Sequence, residues 1–162
     1  MQPIRALERD EWERGRHLRL RALADAPDAF RSTYEAVSAE SDAWWRDLVE
    51  TFSSDPNRGI WVVESSGELV GMALGNIHQG TLHIFSMWVD PDRRGEGLGQ
   101  GLLGTVMAWG RMSGATSVEL WVTEGNEDAE TLYARAGFAS TGEREPRRHG
   151  SDLHVLKMIA PL

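Results

Sequence analysis

The sequence of 162 residues contains no cysteine. Disulfides, cysteine-rich zinc sites and a thiol nucleophile are therefore excluded, and the absence fits a reducing compartment, so we expect a cytoplasmic protein. No apolar run approaches the roughly 20 residues that span a bilayer. Residues 1–5 also lack the apolar core of a signal peptide. We therefore expect no membrane partner.

Positive charge is scarce as well, because 17 Lys and Arg residues stand against 25 Asp and Glu, a net charge of -8. This balance argues against a nucleic-acid partner; it either favours a cationic partner or simply keeps the protein soluble. The chain lacks the Gly-x-x-x-x-Gly-Lys, His-Glu-x-x-His and Gly-x-Ser-x-Gly motifs, and its histidines are scattered. We expect no metal site.

What the sequence does contain is a glycine-rich stretch, residues 89–101, between an apolar segment and a helix. Glycines at 95, 97, 99 and 101 let backbone N–H groups converge without obstruction by Cβ, and the helix start adds the positive end of its dipole. Glycine within a helix costs about 1 kcal/mol relative to alanine, so we expect a ligand or strand to approach Gly99, Gly101 and Gly104 closely. The stretch predicts a diphosphate site.

Hydrophobic periodicity and turn residues predict alternating helices and strands along the whole chain. Strands are predicted at 4–7, 59–64, 68–76, 81–89, 117–123, 138–142 and 153–159, and helices at 8–26, 33–52, 97–112 and 126–136. The helix between the strands at 81–89 and 117–123 would act as a crossover, so these two strands should be parallel.

Residues 94–99, Arg-Gly-Glu-Gly-Leu-Gly, match the Arg/Gln-x-x-Gly-x-Gly/Ala signature of the GNAT superfamily, the acetyl-coenzyme-A-dependent N-acetyltransferases. The resemblance continues at Asn126 and at residues 129–138, Ala-Glu-Thr-Leu-Tyr-Ala-Arg-Ala-Gly-Phe, which are similar to the later Leu-Tyr-x-x-x-Gly-Phe segment of that family. It covers residues 60–160 well and the first 55 loosely.

Pattern and resemblance together predict an α/β fold of mixed, α+β-like type, with one GNAT-like domain over residues 1–162. A central, mostly antiparallel sheet would contain one parallel strand pair around the acetyl-CoA site and be flanked by about four helices. Residues 1–55 would form a helical acceptor-side region, residues 59–142 the core with the acetyl-CoA site, and residues 138–160 the closing strands.

The resemblance also implies roles for individual residues in binding acetyl-CoA. Tyr133 would contact the cofactor and protonate the departing coenzyme A sulfur, although its ring could instead serve only for packing. The backbone at Met87, Trp88 and Val89 would pair with the pantetheine arm, and an N–H near Met87 would polarise the acetyl oxygen. The other expected cofactor contacts are Arg94, Gly95, Glu96, Gly97, Leu98, Gly99, Gln100 and Asn126.

His83 and Glu119 are the two candidate bases. His83 lies two alternations upstream of Met87, so we expect both side chains on one face of the strand. It falls where histone-type members of the family carry a glutamate, and it would act as a base, hold a water or simply hydrogen-bond within the wall. Glu119 lies on the neighbouring strand, where it either acts as the base or points to solvent.

The predicted function is transfer of an acetyl group from acetyl-CoA to a primary amine, directly within a ternary complex. The acceptor would be a small molecule, or the N-terminus or a lysine of a protein, and the resemblance also implies a homodimer. One alternative is a non-catalytic acyl-CoA-binding module. Another is a dinucleotide-dependent oxidoreductase, since residues 99–104 read Gly-x-Gly-x-x-Gly, but Pro91 and two arginines separate these glycines from the strand.

Overall fold

The computed structural model describes residues 3–162, and a seven-stranded mixed sheet lies at its centre. The strands are β1 (Ile4–Ala6), β2 (Arg58–Ser65), β3 (Glu68–His78), β4 (Thr81–Val89), β5 (Ser117–Thr123), β6 (Ala139–Pro146) and β7 (His154–Pro161). Their order is β1-β2-β3-β4-β5-β7-β6, and every neighbouring pair is antiparallel except β4 and β5. The predicted α/β domain with one parallel pair is confirmed; Met1 and Gln2 lie outside the described residues.

Five α-helices flank the sheet in the described part of the chain, where about four were predicted. They are α1 (Trp12–Asp25), α2 (Tyr34–Ser38), α3 (Asp42–Ser54), α4 (Leu98–Met112) and α5 (Glu127–Arg135). The helix predicted at 33–52 is divided into α2 and α3, because Thr33 and Ser41 each accept a backbone N–H with their side chains and so start a helix of their own. No helix among residues 3–162 is both long and apolar enough to cross a bilayer.

The helices pack on both faces of the sheet. Helix α4 covers one face, here called the α4 face, where Val106 belongs to the same buried cluster as Leu82 of β4. Helices α1 and α3 cover the other, here called the α1 face, where Trp45 is buried in one cluster with Val62 of β2. The sheet therefore separates two apolar cores, one on each side.

The two central parallel strands separate before they end. Strand β4 pairs with β5 only from Thr81 to Ile84, opposite Ser117 to Leu120, although β4 continues to Val89. Beyond Ile84, the edge of β4 that faces β5 has no strand partner among the described residues. Because backbone N–H and C=O groups on such an edge need partners, this half of β4 can pair with an extended ligand.

An irregularity at Ser86 interrupts the alternation of β4. Ser86 has a φ of 51°, and the register against β3 shifts at this point. Before it, Ile84 packs on the α4 face, whereas Phe85 contacts an aromatic ring of α3 on the α1 face. After it, Met87 packs on the α4 face and Trp88 on the α1 face. A β-bulge of this kind shifts the pleat by one residue.

The bulge overturns one prediction from the sequence. His83 alternates with Ile84 and so lies with Phe85 on the α1 face, whereas Met87 lies on the α4 face. The prediction that His83 and Met87 share a face is therefore wrong. Counting alternate positions fails here because the residue inserted at the bulge reverses the alternation.

Candidate functional site

A cavity of about 690 Å³ opens where β4 and β5 separate. Its walls come from the end of β4, the glycine turn, the start of α4, one side of α5, and the turn after α1. The predicted cofactor residues that line it are Met87, Trp88, Val89, Arg94, Gly95, Gly97, Leu98, Gly99, Gln100, Asn126 and Tyr133. Glu96 is not among the lining residues, and its carboxylate is paired with Arg93.

The glycine turn has the conformation that an anion site needs. Gly95 and Gly97 have φ values of 84° and 80°, in the left-handed region that favours glycine. Helix α4 begins at Leu98 directly after Gly97, and no side chain of the described residues caps its first N–H groups. These N–H groups have no partner within the helix, so with the helix dipole they can bind a phosphate.

The glycines of α4 differ in what surrounds them. A Cβ on Gly101 would lie 2.8 Å from Cδ1 of Ile4, so Gly101 allows β1 to pack against the helix. A Cβ on Gly99 would meet Leu132 at 3.4 Å, an ordinary contact at the cavity wall. No atom lies within 4 Å of a Cβ placed on Gly104. A strand therefore approaches Gly101 closely, as expected, whereas the same expectation for Gly104 is wrong.

Two ion pairs attach the glycine turn to α1. Arg21 binds Asp90, and Arg94 binds Asp25 with Nη2 2.8 Å from Oδ2. The same Asp25 oxygen accepts the indole N–H of Trp88 at 2.9 Å. Asp25 was missed from the sequence because nothing local marks it, and its partners lie more than sixty positions further along the chain.

Tyr133 reaches from α5 across the cavity to β4. Asn126 starts α5 by accepting the N–H of Ala129, and the Tyr133 ring packs on Phe138 with centroids 5.8 Å apart. The hydroxyl donates to Sδ of Met87 at 3.6 Å, a weak hydrogen bond. Burial raises the pKa of Tyr133 to about 12. The phenol is therefore protonated beside Met87.

His83 and Glu119 contact each other, but neither lines this cavity. They are register partners on the parallel strands β4 and β5, with Nδ1 of His83 3.0 Å from Oε1 of Glu119. The other Glu119 oxygen lies 3.3 Å from Nζ of Lys157. The structure thus brings the two candidate bases together on the α1 face, and Tyr133 with the glycine turn at the cavity.

Further lining residues were not found from the sequence: Ala26, Ala29, Arg93, Asp128, Ala129, Leu132 and Arg135. Ala26 directly precedes a short 3-10 turn that begins at Pro27, and Ala29 is the last residue of that turn. This turn is held to β5 because the Thr123 hydroxyl donates to the carbonyl of Asp28 at 2.7 Å. Pro27 marks a turn in the sequence, but only this tertiary contact brings the turn to the cavity.

The family model described as "Acetyltransferase (GNAT) family" matches residues 10–138. The chain therefore belongs to the GNAT acetyltransferase family. N-acetyltransferase 8 from Rattus norvegicus is 34% identical to it over 103 residues, which cover 60% of this chain and 46% of that protein. The chain thus matches less than half the length of this relative.

Solved structures agree on the fold. A GNAT-family acetyltransferase from Streptococcus pneumoniae superposes with a TM-score of 0.83, at 18% identity and 100% coverage of both chains. A phosphinothricin acetyltransferase from Sinorhizobium meliloti, solved in complex with acetyl-CoA, gives a TM-score of 0.81 at 17% identity, covering 99% of this chain and 88% of that one. The oxidoreductase alternative does not fit, since residues 99–104 lie inside α4 rather than directly after a strand.

Proposed function

We propose that this protein transfers an acetyl group from acetyl-CoA to a primary amine, directly within a ternary complex. The observation that carries the proposal is the contact of the Tyr133 hydroxyl with Met87. This contact places a proton donor beside the unpaired half of β4, at the cavity that the glycine turn also lines. Membership of the GNAT family and the acetyl-CoA bound by a similar structure support the same cofactor.

The cavity can hold the cofactor with backbone groups. The diphosphate would bind the N–H groups from Arg94 to Gln100, where the turn and the start of α4 converge. The pantetheine arm would pair with the free edge of β4 from Met87 to Val89. Arg94 donates to the carbonyl of Val89 at 3.1 Å, and because a carbonyl oxygen has two lone pairs it can accept a second hydrogen bond from the cavity.

The reaction requires a C–N bond to form while the C–S bond of the thioester breaks. In the proposal, the N–H of Met87 stabilises the developing oxyanion and Tyr133 gives its proton to the departing thiolate. Burial raises the pKa of Tyr133, and the same surroundings raise the proton affinity of a thiolate beside it. The phenol therefore remains a suitable acid despite its raised pKa.

His83 and Glu119 would take the proton that the amine loses. Because Glu119 lies beside Nδ1, the neutral imidazole places its proton there and keeps the lone pair of Nε2 free to accept. The pair lies on the α1 face, and β4 and β5 separate just beyond it. An amine bound on the α1 face would reach the acetyl group through this gap, directly or with a water relaying the proton.

The test is a panel of primary amines incubated with acetyl-CoA and the protein, with release of free thiol as the readout. The panel includes small amines, amino acids, and peptides with a free N-terminus or a lysine. We expect amine-dependent thiol release and an acetylated product identified by mass. Binding of acetyl-CoA without transfer to any amine would instead identify a non-catalytic acyl-CoA-binding module, and absence of binding would refute both functions.

A further inference from the structure

Arg19 of α1 carries a partly buried guanidinium that lacks a carboxylate partner. Its Nη1 donates to Oγ of Ser86 at 2.7 Å, and its Cζ lies 5.9 Å from the centre of the Phe30 ring. Arg19 forms no ion pair with any of residues 3–162. Burial lowers the pKa of Arg19, and no opposing charge offsets this effect.

Such a cation is costly to bury, because charge inside a protein needs an opposite charge or several hydrogen bonds. A guanidinium carries five N–H donors, and the side chain of Ser86 engages one nitrogen only. Two nearby arginines of α1 behave differently: Arg14 pairs with Glu11, and Arg21 pairs with Asp90. The free donors of Arg19 are therefore suited to an anion from outside the chain.

The position of Arg19 connects it with the transfer site. Ser86 forms the bulge of β4 and directly precedes Met87, and the Cα atoms of neighbouring residues lie about 3.8 Å apart. The guanidinium thus lies on the α1 face, beside the gap through which an amine would reach the cavity. Because Ser86 and Met87 are adjacent, an anion bound to Arg19 would lie close to the Met87 backbone.

A second cation flanks the same segment. Arg148, in the loop between β6 and β7, donates through Nη1 to the carbonyls of Phe30 and Arg31, both at 3.2 Å. It forms no ion pair within the described residues, whereas the neighbouring Arg31 pairs with Glu145. Two guanidiniums that form no ion pair within the described residues therefore lie at Phe30, one near its ring and one at its carbonyl, although the chain as a whole carries a net charge of -8.

We propose that Arg19 binds the carboxylate of the acceptor, and that the acceptor is a free α-amino acid. The inference rests on the proposed acetyl transfer. Guanidinium and carboxylate form paired, charge-assisted hydrogen bonds. Because the amine and the carboxylate of an α-amino acid share one carbon, anchoring the carboxylate at Arg19 directs the amine towards Met87. The N-terminus of a protein carries an amide at this place and does not provide the anion.

The experiment compares kcat/KM for free L-amino acids with kcat/KM for their α-amides and decarboxylated amines. We expect wild type to favour the free acid by about 10- to 100-fold, the range for a hydrogen bond to a charged group. Arg19→Gln should bring the ratio of acid to amide close to one while acetyl-CoA affinity is retained. Arg46→Gln is the matched control, because Arg46 also lies over an aromatic ring, 4.7 Å from that of Trp12, but on α3; it should keep the ratio.

The Ser86→Ala variant distinguishes an anion site at Arg19 from a purely structural role of Arg19. If Arg19 only holds the bulge, Ser86→Ala should change the enzyme as Arg19→Gln does. If Arg19 binds the carboxylate, Ser86→Ala should retain the preference for the free acid even where overall turnover changes. Equal use of acid and amide by wild type, or an equal loss for both substrates in Arg19→Gln, would overturn the inference.

A binding measurement keeps this test independent of turnover. Free amino acids are titrated calorimetrically into the protein saturated with coenzyme A, for wild type and Arg19→Gln. Binding that Arg19→Gln abolishes supports the carboxylate site even if no amine of the panel is acetylated, which would refute the transfer reaction alone. Absence of amino-acid binding to wild type, together with transfer to amines that lack a carboxylate, would refute the site and leave acetyl transfer intact.

Discussion

The cavity at the end of β4 and the polar side chains on the α1 face are built from different parts of the chain. The cavity uses backbone: two left-handed glycines, the start of α4 and the unpaired edge of β4. The α1 face uses side chains from separate elements: His83 and Glu119 from two strands, and Arg19 from a helix. A backbone site needs particular residues at fixed local spacings, whereas a side-chain site can be assembled from any part of the sequence. Only the former leaves a motif.

The largest effect should come from breaking the backbone site. Gly97→Val places a β-branched residue at a φ of 80°, which disfavours the turn although open space surrounds the new Cβ. We expect acetyl-CoA affinity to fall by about 10³-fold, since the amides of the turn would no longer converge. Calorimetric titration of the folded variant measures this loss. Unchanged affinity would show that the turn has a structural role only.

Tyr133→Phe tests the one side chain on which the chemistry in the cavity depends. The phenyl ring keeps its packing on Phe138 and loses only the proton donor. We expect kcat to fall by about 10²-fold, with little change in acetyl-CoA affinity. Steady-state kinetics and direct titration provide the two values. If kcat stays at the wild-type level, Tyr133 is a packing residue.

The same residue should make the protein sensitive to alkali. Burial in the folded chain raises the pKa of Tyr133 to about 12, above its ordinary value of 10.0. The folded state therefore holds this proton longer, and its contribution to stability is complete below pH 10 and declines as the pH rises towards 12. We expect a loss of about 2 kcal/mol over this interval, as a shift of this size implies. Urea unfolding at several pH values should show a smaller decline for Tyr133→Phe.

The polar side chains on the α1 face should respond to mutation more weakly. We expect His83→Gln or Glu119→Gln to lower kcat/KM by about 10-fold, because the pair lies outside the cavity and water can replace it in part. If the two residues act as one unit, the double variant should lose no more than either single variant. Rates at saturating acetyl-CoA measure this coupling. Losses that multiply in the double variant would show independent roles.

The smallest effect is expected in α4, where a glycine is not needed. Gly104 is exposed within the helix and its missing Cβ would touch nothing. Gly104→Ala should stabilise the protein by up to about 1 kcal/mol, the difference in helix propensity. Urea unfolding measures the gain, and acetyl-CoA affinity should equal that of wild type. Weakened affinity would mean that the backbone site extends further along α4 than the first turn.

Prediction from the sequence succeeded where local pattern determines structure. The bounds of β4 and β5 agree with those predicted, because both segments are rich in apolar residues and turn residues follow each strand. Most predicted cofactor contacts also line the cavity, because glycine spacing reflects backbone geometry. These contacts remain predictions until acetyl-CoA binding is measured.

Prediction from the sequence failed where the structure depends on a single backbone torsion angle or a distant contact. The bulge at Ser86 left no trace in the pattern, because Met87, Trp88 and Val89 are all apolar and are compatible with either alternation. Asp25 and Arg19 act through partners more than sixty positions away. No spacing rule connects such residues, since the fold alone brings them together.

The bulge also determines which changes in length β4 can accept. In a regular strand, loss of one residue moves every residue beyond it to the opposite face. Deletion of Ser86 differs, because it would place Phe85 directly before Met87 and would keep Ile84 and Met87 on the α4 face and Phe85 and Trp88 on the α1 face. Deletion at any other position between Thr81 and Val89 would retain the bulge and exchange the faces of half the strand, so that apolar side chains would leave their core. The strand therefore tolerates a change in length at Ser86 far better than at its other positions.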